Sequence, residues 1–213
     1  PTGLLLVGGH RFARAMASAL KADEGVRVLI ADTNYGHVAA ARREELDIYH
    51  GNILSEQAEE EIDLTGIGGM LALTPNDEVN SIICLRYGEL FGRARVYQLS
   101  APRDAQSRRQ PVAQRLRGRT LFSNNHGHDR LLDLMRKGGE IRRIDLTEDY
   151  DFDAFKEEYG PRALPLLVVQ DGMPKPLTPT DPPKPREDDV LLALIVPEGM
   201  IAVEPPEPKD EEE

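Results

Sequence analysis

Residues 3–32 read GLLLVGGHRFARAMASALKADEGVRVLIAD. The apolar run at 4–7 is too short for a helix and is typical of a strand buried on both faces. Gly8-Gly9 interrupts it, and helical spacing then places Phe12, Met16 and Leu20 on one face. A second apolar run ends at Asp32. The stretch therefore predicts a strand, a tight turn, a helix and a second buried strand.

Such a unit carries a simple binding chemistry. Two parallel strands place a helix N-terminus at their carboxyl edge, where free N–H groups and the helix dipole attract a phosphate. An acid at the tip of the second strand accepts hydrogen bonds from ribose hydroxyls. Asp32 follows Gly8 by 32 − 8 = 24 residues, close to the separation of roughly 20 in dinucleotide-binding folds.

The glycine fingerprint is incomplete. In register, the G-x-G-x-x-G positions hold Gly8, His10 and Ala13. Ala13 is a mild change, whereas His10 puts a Cβ where the backbone should approach a pyrophosphate. Three outcomes stay open: His10 donates to a phosphate, Gly9 takes over the close contact, or nucleotide binding is weakened or lost.

The pattern after Asp32 alternates helices with short strands. This order predicts a Rossmann-like, doubly wound parallel sheet with helices on both faces. The expected strands are 47–50, 69–73, 94–99 and 120–122; the expected helices are 38–46, 56–62 capped by Ser55, 78–91 and 130–137. In the helix over 78–91, we expect five apolar side chains to face inward: Val79, Ile82, Ile83, Leu85 and Leu90.

Composition narrows the function classes. The formal net charge of −11 opposes nonspecific binding to nucleic acid. The single cysteine, Cys84, excludes an internal disulfide framework and lies in an apolar run, which favours a buried thiol. Because the chain opens at Pro1-Thr2 directly before a buried strand, we expect it to be a fragment whose missing part lies N-terminal.

Two further segments have candidate functions. Residues 100–118 are arginine-rich and could face an anion or a partner, although a solvated segment is the more ordinary interpretation; the arginines are Arg103, Arg108, Arg109, Arg115 and Arg117. His126 and His128 could bind a metal, but no third ligand accompanies them at a familiar spacing. Helix capping is the better account of this segment, and we expect no metal site.

The pattern changes after Gly138-Gly139. Residues 140–146 alternate as a strand, 152–159 predict a short helix, and 164–169 and 189–196 predict strands. The six prolines of residues 174–187 exclude a helix there. We predict a Rossmann-like domain over 1–139, a small α+β domain over 140–203 and a disordered acidic tail over 204–213.

These motifs resemble the RCK/TrkA-type regulatory modules of potassium channels, Trk and Ktr uptake systems and cation:proton antiporters. The resemblance to a TrkA-N domain rests on LLLVGGHRFARAMA, LIAD, YHGNILSEQ and LALTPNDEVNSIICLRYGELFG. Residues 163–196 resemble a TrkA-C domain, with a strand and turn, a proline-marked segment and an acidic-to-apolar last strand.

The resemblance implies a ligand-sensing role without catalytic residues. The ligand would be NAD(H) or an adenine nucleotide (AMP, ADP or ATP). It implies eight contact residues: Gly8, Gly9, His10 and Arg11 at the phosphates, Asp32 and Thr33 at the ribose, Asn52 near the adenine or its ribose, and Thr74 near the phosphates or the adjoining ribose. The family has Asp where Asn52 stands, so Asn52 is a second departure.

The resemblance also sets expectations for partners and place. We expect a homodimer or higher homo-oligomer at the cytoplasmic face of the inner membrane, joined to the transporter domain of the same polypeptide, and no nucleic acid. A sodium or potassium:proton antiporter is the favoured system. Two other functions stay open: a structural dimerisation module with a degenerate nucleotide site, and an NAD-dependent oxidoreductase, whose only candidate histidines would be His126 and His128.

Overall fold

The computed structural model describes residues 1–22, 25–101 and 117–204. A parallel sheet with strand order β3-β2-β1-β4-β5-β6 forms the first half of this part of the chain. Its strands are β1 (Gly3–Val7), β2 (Val28–Asp32), β3 (Ile48–His50), β4 (Ile67–Ala72), β5 (Val96–Gln98) and β6 (Arg119–Thr120). This is the Rossmann-like arrangement that the alternating pattern predicts, and the fold class is confirmed.

Helices cover both faces of this sheet. They are α1 (Arg11–Lys21), α2 (Tyr35–Arg43), α3 (Glu56–Glu61), α4 (Asp77–Phe91) and α5 (His128–Arg136). Alternate side chains of β1 lie on opposite faces of the sheet. Leu4 and Leu6 pack in one core with α1 and α5, while Leu5 and Val7 pack in another with α4. Strands buried on both faces explain the continuous apolar runs.

A second, antiparallel sheet has the order β7-β10-β8-β9. Its strands are β7 (Glu140–Asp145), β8 (Ala163–Gln170), β9 (Met173–Pro176) and β10 (Val190–Ile195), and α6 (Phe152–Tyr159) lies between β7 and β8. One face packs into the core of α1 and α5, where Leu166 and Leu192 join Phe12. The other face packs on Phe155 of α6. The predicted domain boundary after Gly139 stays a prediction.

Most predicted elements are present, with boundaries displaced by a few residues. The helix predicted over 38–46 is wrong in position: α2 begins at Tyr35 because the Asn34 side chain accepts a hydrogen bond from the His37 N–H, at 3.1 Å. It stops before Glu45, whose φ of 57° is left-handed. Strand β9 has no counterpart among the predicted elements, because prolines exclude a helix but do not by themselves indicate a strand.

The orientation of α4 corrects a second prediction. Ile83 is buried, but Ile82, Leu85 and Leu90 are 54%, 42% and 61% exposed. The sheet side of α4 is formed instead by Asn80, Ile83, Cys84, Tyr87 and Gly88. The buried residues follow helical spacing and form one face of α4. The exposed apolar residues lie elsewhere on the helix and point away from the core. Apolar character alone did not distinguish the two faces.

The histidine segment also differs from expectation, and so does Arg117 of the arginine-rich segment. His126 does not cap the following helix: α5 has Gly127 at its N-cap without a side-chain hydrogen bond, and His126 turns inward to Ser123 and the Ala202 carbonyl. In the arginine segment, Arg117 forms an ion pair with Asp77. Arg103, Arg108, Arg109 and Arg115 lie outside the described residues, as does the tail over 205–213.

Candidate functional site

The carboxyl edge of the parallel sheet carries the predicted site. Strand order changes direction between β1 and β4, and ligands of open α/β sheets bind at such a switch point. Gly8 follows β1, Asp32 ends β2 and Thr74 follows β4 closely. The fold therefore brings residues far apart in sequence to one edge.

The turn between β1 and α1 contains two glycines with different surroundings. Gly8 has a φ of +116°, which side chains with a Cβ rarely adopt. A Cβ on Gly9 would lie 3.2 Å from Asp32 Oδ2 and 3.3 Å from the Cβ of His37. The backbone at Gly9 is thus packed against the acid that ends β2.

His10 fills the space in front of α1. Its side chain is 4% exposed; Nε2 lies 2.8 Å from the Leu73 carbonyl oxygen, and Nδ1 accepts a hydrogen bond from the Ala13 N–H at 3.4 Å. Because Nδ1 accepts, Nε2 carries the proton and donates to Leu73. Burial lowers the pKa of His10 to about 4. A neutral imidazole therefore caps the helix that was expected to hold a phosphate.

Asp32 is bound by three donors of its own chain. Oδ2 accepts from the Gly9 N–H at 2.5 Å and lies 2.7 Å from His37 Nδ1, and Oδ1 accepts from the Asn34 N–H at 2.8 Å. Burial alone would raise the pKa of Asp32, but these hydrogen bonds outweigh it and hold the pKa below its usual value. The carboxylate stays ionised and keeps about one free lone pair for a ligand hydroxyl.

The remaining predicted residues have different surroundings. Arg11 and Thr33 are exposed beside the turn. Asn52 is also exposed, and its Oδ1 accepts a hydrogen bond from the Leu54 N–H at 3.0 Å, which stabilises a local turn. The Thr74 hydroxyl donates to Asn80 Oδ1 at 2.6 Å. Asn80 in turn donates to the Thr74 carbonyl oxygen, so α4 fixes the loop that follows β4.

An open cavity of about 360 Å³ lies beside the closed turn. Its walls come from the loops after β4 and β5 and from the start of α5, and include Thr74, Asn80, Ser100, Asn125, Gly127 and His128. The imidazole rings of His10 and His128 have centroids 5.0 Å apart, so the cavity adjoins the turn directly. Of the predicted site residues, Thr74 lines this cavity.

Sequence reasoning missed three contributors to this edge. His37 binds Asp32, and its signal was a histidine one turn inside the helix that follows the acid. Asn80 lies in one of the motifs that resemble a TrkA-N domain, but the sequence pattern indicates no role for it. No sequence pattern indicates a role for Ser100, because it becomes part of the cavity only through its contact with Gly127. A Cβ on Gly127 would lie 2.8 Å from the Ser100 carbonyl oxygen.

Several other chemistries find little support in the described part of the chain. There, no group of three or more His, Cys, Asp or Glu side chains is placed to hold a metal ion. No helix within the described ranges has the length and apolar character needed to cross a bilayer. Burial raises the pKa of the Cys84 thiol to about 12, which makes it a poor nucleophile.

Comparison with known protein families finds a match in the first half of the chain. The TrkA-N domain model matches residues 4–109. A search among curated proteins finds no match. Among solved structures, the GsuK RCK domain is 12% identical with a TM-score of 0.45, over 91% of this chain and 44% of that chain.

Two further structures are similar over most of the chain. The GsuK channel bound to NAD is 14% identical with a TM-score of 0.47, over 92% of this chain and 36% of that chain. An apo, histidine-tagged saccharopine dehydrogenase (L-Glu forming) from Saccharomyces cerevisiae is 12% identical with a TM-score of 0.38, over 91% of this chain and 55% of that chain. The chain thus spans about half or less of these proteins. The parallel sheet and its glycine turn agree with the match of residues 4–109 to the TrkA-N domain model.

Proposed function

We propose that this chain is a nucleotide-sensing regulatory module of a monovalent cation transport system. The observation that carries the proposal is the TrkA-N match on a sheet whose switch point holds the Gly8-Gly9 turn beside an ionised Asp32. TrkA-N domains are regulatory ligand-binding modules. The ligand is NAD(H) or an adenine nucleotide, with its ribose at Asp32.

The wider setting follows from the family resemblance. The proposed system is a sodium or potassium:proton antiporter, and the module acts at the cytoplasmic face of the membrane as part of the transporter polypeptide. Two or more copies assemble there. A nucleotide that binds one arrangement of the copies better than another shifts their balance by its differential affinity, typically 1–3 kcal/mol. The module itself transforms nothing.

Titration with NAD, NADH, AMP, ADP and ATP by calorimetry tests the proposal. Ligand at a concentration equal to Kd stabilises the fold by RT ln 2, and higher concentrations add to this, so a thermal melt gives an independent readout. We expect at least one of these nucleotides to bind. Turnover of NAD(H) with any substrate would instead favour an oxidoreductase.

Asp32→Ala is the discriminating variant. It removes the acceptor for the ribose hydroxyls, and we expect the calorimetric heat and the melting shift to disappear. Asp63→Ala is the matched control, because Asp63 is an exposed acid that pairs with Arg27 away from the carboxyl edge. Nucleotide binding that survives Asp32→Ala unchanged would remove Asp32 from the site.

A second candidate is a structural dimerisation module whose nucleotide site has degenerated. The self-contained bonding of His10 and Asp32 favours it, because both groups already have partners within the chain. This candidate predicts that millimolar nucleotide leaves the melting temperature unchanged while the protein remains an oligomer. The same titration therefore separates the two functions.

A further inference from the structure

The cavity beside the closed turn contains a helix N-terminus that no side chain caps. Helix α5 has nine residues, and its N-cap is Gly127 in an extended conformation. The first backbone N–H groups of a helix have no intrahelical acceptor, and the helix dipole adds positive potential there. His128, Asp129 and Arg130 supply these groups, and all three line the cavity.

A second, independent feature lies against the same helix start. Ser100 is 8% exposed. Among the buried side-chain oxygen and nitrogen atoms of the described residues, its Oγ is the one that has no hydrogen-bond partner. Ser100 lines the cavity and packs directly on Gly127. A buried hydroxyl without a partner costs free energy, which a ligand acceptor would recover. A phosphate oxygen is such an acceptor.

The charges around the cavity permit one anionic group. Asp77 is bound at both oxygens by the Arg117 guanidinium, at 2.5 and 2.7 Å. The Asp129 carboxylate extends into solvent and lies 2.8 Å from His128 Nδ1. Glu204 and Arg130 also line the cavity and carry opposite charges. The negative charge of Asp77 is thus balanced by a guanidinium, and that of Asp129 lies towards the solvent.

At the turn between β1 and α1, by contrast, two backbone donors are already bonded within the chain. His10 accepts from the Ala13 N–H, and Asp32 accepts from the Gly9 N–H. An incoming phosphate would have to displace a buried imidazole and meet an ionised carboxylate. Both features oppose a phosphate at the position that the glycine fingerprint indicates.

We infer that the nucleotide's phosphate binds at the start of α5, against Ser100, and not at the turn after β1. This inference rests on the proposed function, since it places one group of the proposed ligand. The nucleotide would then run from the ribose site at Asp32 past His10 and His128 into the cavity. His10 becomes a wall of the site and not a phosphate ligand.

The test compares AMP, adenosine and inorganic phosphate by calorimetry on the full chain. Ser100→Ala removes the hydroxyl donor, and we expect the Kd for AMP to rise about tenfold while the Kd for adenosine stays unchanged. Ser18→Ala is the matched control, because Ser18 is an exposed serine on α1. We expect this control to bind AMP as the parent chain does.

Amide chemical shifts give a readout that does not depend on a variant. On addition of AMP, but not of adenosine, we expect the largest shifts at Ser100, Gly127 and His128, with smaller shifts at Gly9 and Ala13. AMP binding that is indifferent to Ser100→Ala and shifts Gly9 most would overturn the inference and leave the proposed function intact.

Two further outcomes would contradict the inferred phosphate site at the start of α5. If none of the nucleotides binds, the proposed function fails, and the inference fails with it. If inorganic phosphate binds as tightly as AMP while adenosine does not bind, the site recognises a free anion, and its assignment to a nucleotide is wrong.

Discussion

His10 shows how one side chain changes the meaning of a sequence fingerprint. It stands where the second glycine of the pattern would be, and it occupies the space with a neutral, doubly hydrogen-bonded ring. The resulting turn keeps Gly8 at a φ of +116°. Two of its backbone donors, the Gly9 and Ala13 N–H groups, are bonded to groups of the same protein.

The buried imidazole also makes stability depend on pH. The pKa of His10 is about 4 in the folded protein against an ordinary value of 6.5. The unfolded chain thus binds the proton more strongly than the folded protein does. The contribution of neutral His10 to the free energy of unfolding is therefore complete above pH 6.5 and is lost as the pH falls towards 4. We expect a loss of about 3 kcal/mol over this range from His10 alone.

Urea denaturation between pH 7 and pH 4 measures this effect. His10→Asn is the comparison, because Asn cannot titrate and can still accept the Ala13 N–H as an N-cap. We expect the free energy of unfolding of the parent chain to fall more steeply than that of the variant. Parallel pH profiles would show that His10 is not held neutral by the fold.

At this scale the sequence predicted which residues matter better than it predicted what they contact. Gly8, His10 and Asp32 were recognisable from spacing within 30 residues. The partner of His10, by contrast, is Leu73, which reaches it only because β4 lies beside β1 in a particular register. Ser100 depends in the same way on where α5 begins.

Among the elements, α4 is the one whose orientation was least predictable. Its apolar residues satisfy helical spacing on two faces, and only the packing of Cys84 and Tyr87 against the sheet selects the buried one. The other face exposes Ile82, Leu85 and Leu90. Exposed apolar side chains grouped on one helix are typical of a surface that binds a partner.

We predict that this face of α4 contacts a second copy of the chain. Ile82→Glu should place a charge in that contact and reduce the mass measured by light scattering towards the 23.7 kDa of one chain. Ile201→Glu is the control, since Ile201 is a similarly exposed apolar residue outside α4. An unchanged mass for Ile82→Glu would locate the oligomer contact elsewhere.

On the scale of the whole molecule, the two sheets share a core. Leu166 and Leu192 of the antiparallel sheet belong to the same buried cluster as Phe12 and Met16 of α1. Arg143 of β7 adds a hydrogen bond to the Ala19 carbonyl oxygen at 3.1 Å. Such contacts couple the folding of the two halves, which sequence patterns could describe only as separate units.

Truncation of the shared core tests this coupling. Leu166 is fully buried, so Leu166→Ala should lower the free energy of unfolding by about 2–5 kcal/mol. Because the core is common, amides of β1 and β10 should lose protection from hydrogen exchange together. Protection that persists in β1 while β10 opens would show that the halves unfold independently.

Strand β9 has a consequence for how copies of the chain can meet. Leu177 donates its N–H inward to Leu166, so by alternation Pro174 and Pro176 occupy positions whose N–H would point outward. Proline has no such donor, and this border of the sheet cannot recruit another strand. Edge-to-edge aggregation is thereby disfavoured here, and assembly is left to side-chain surfaces.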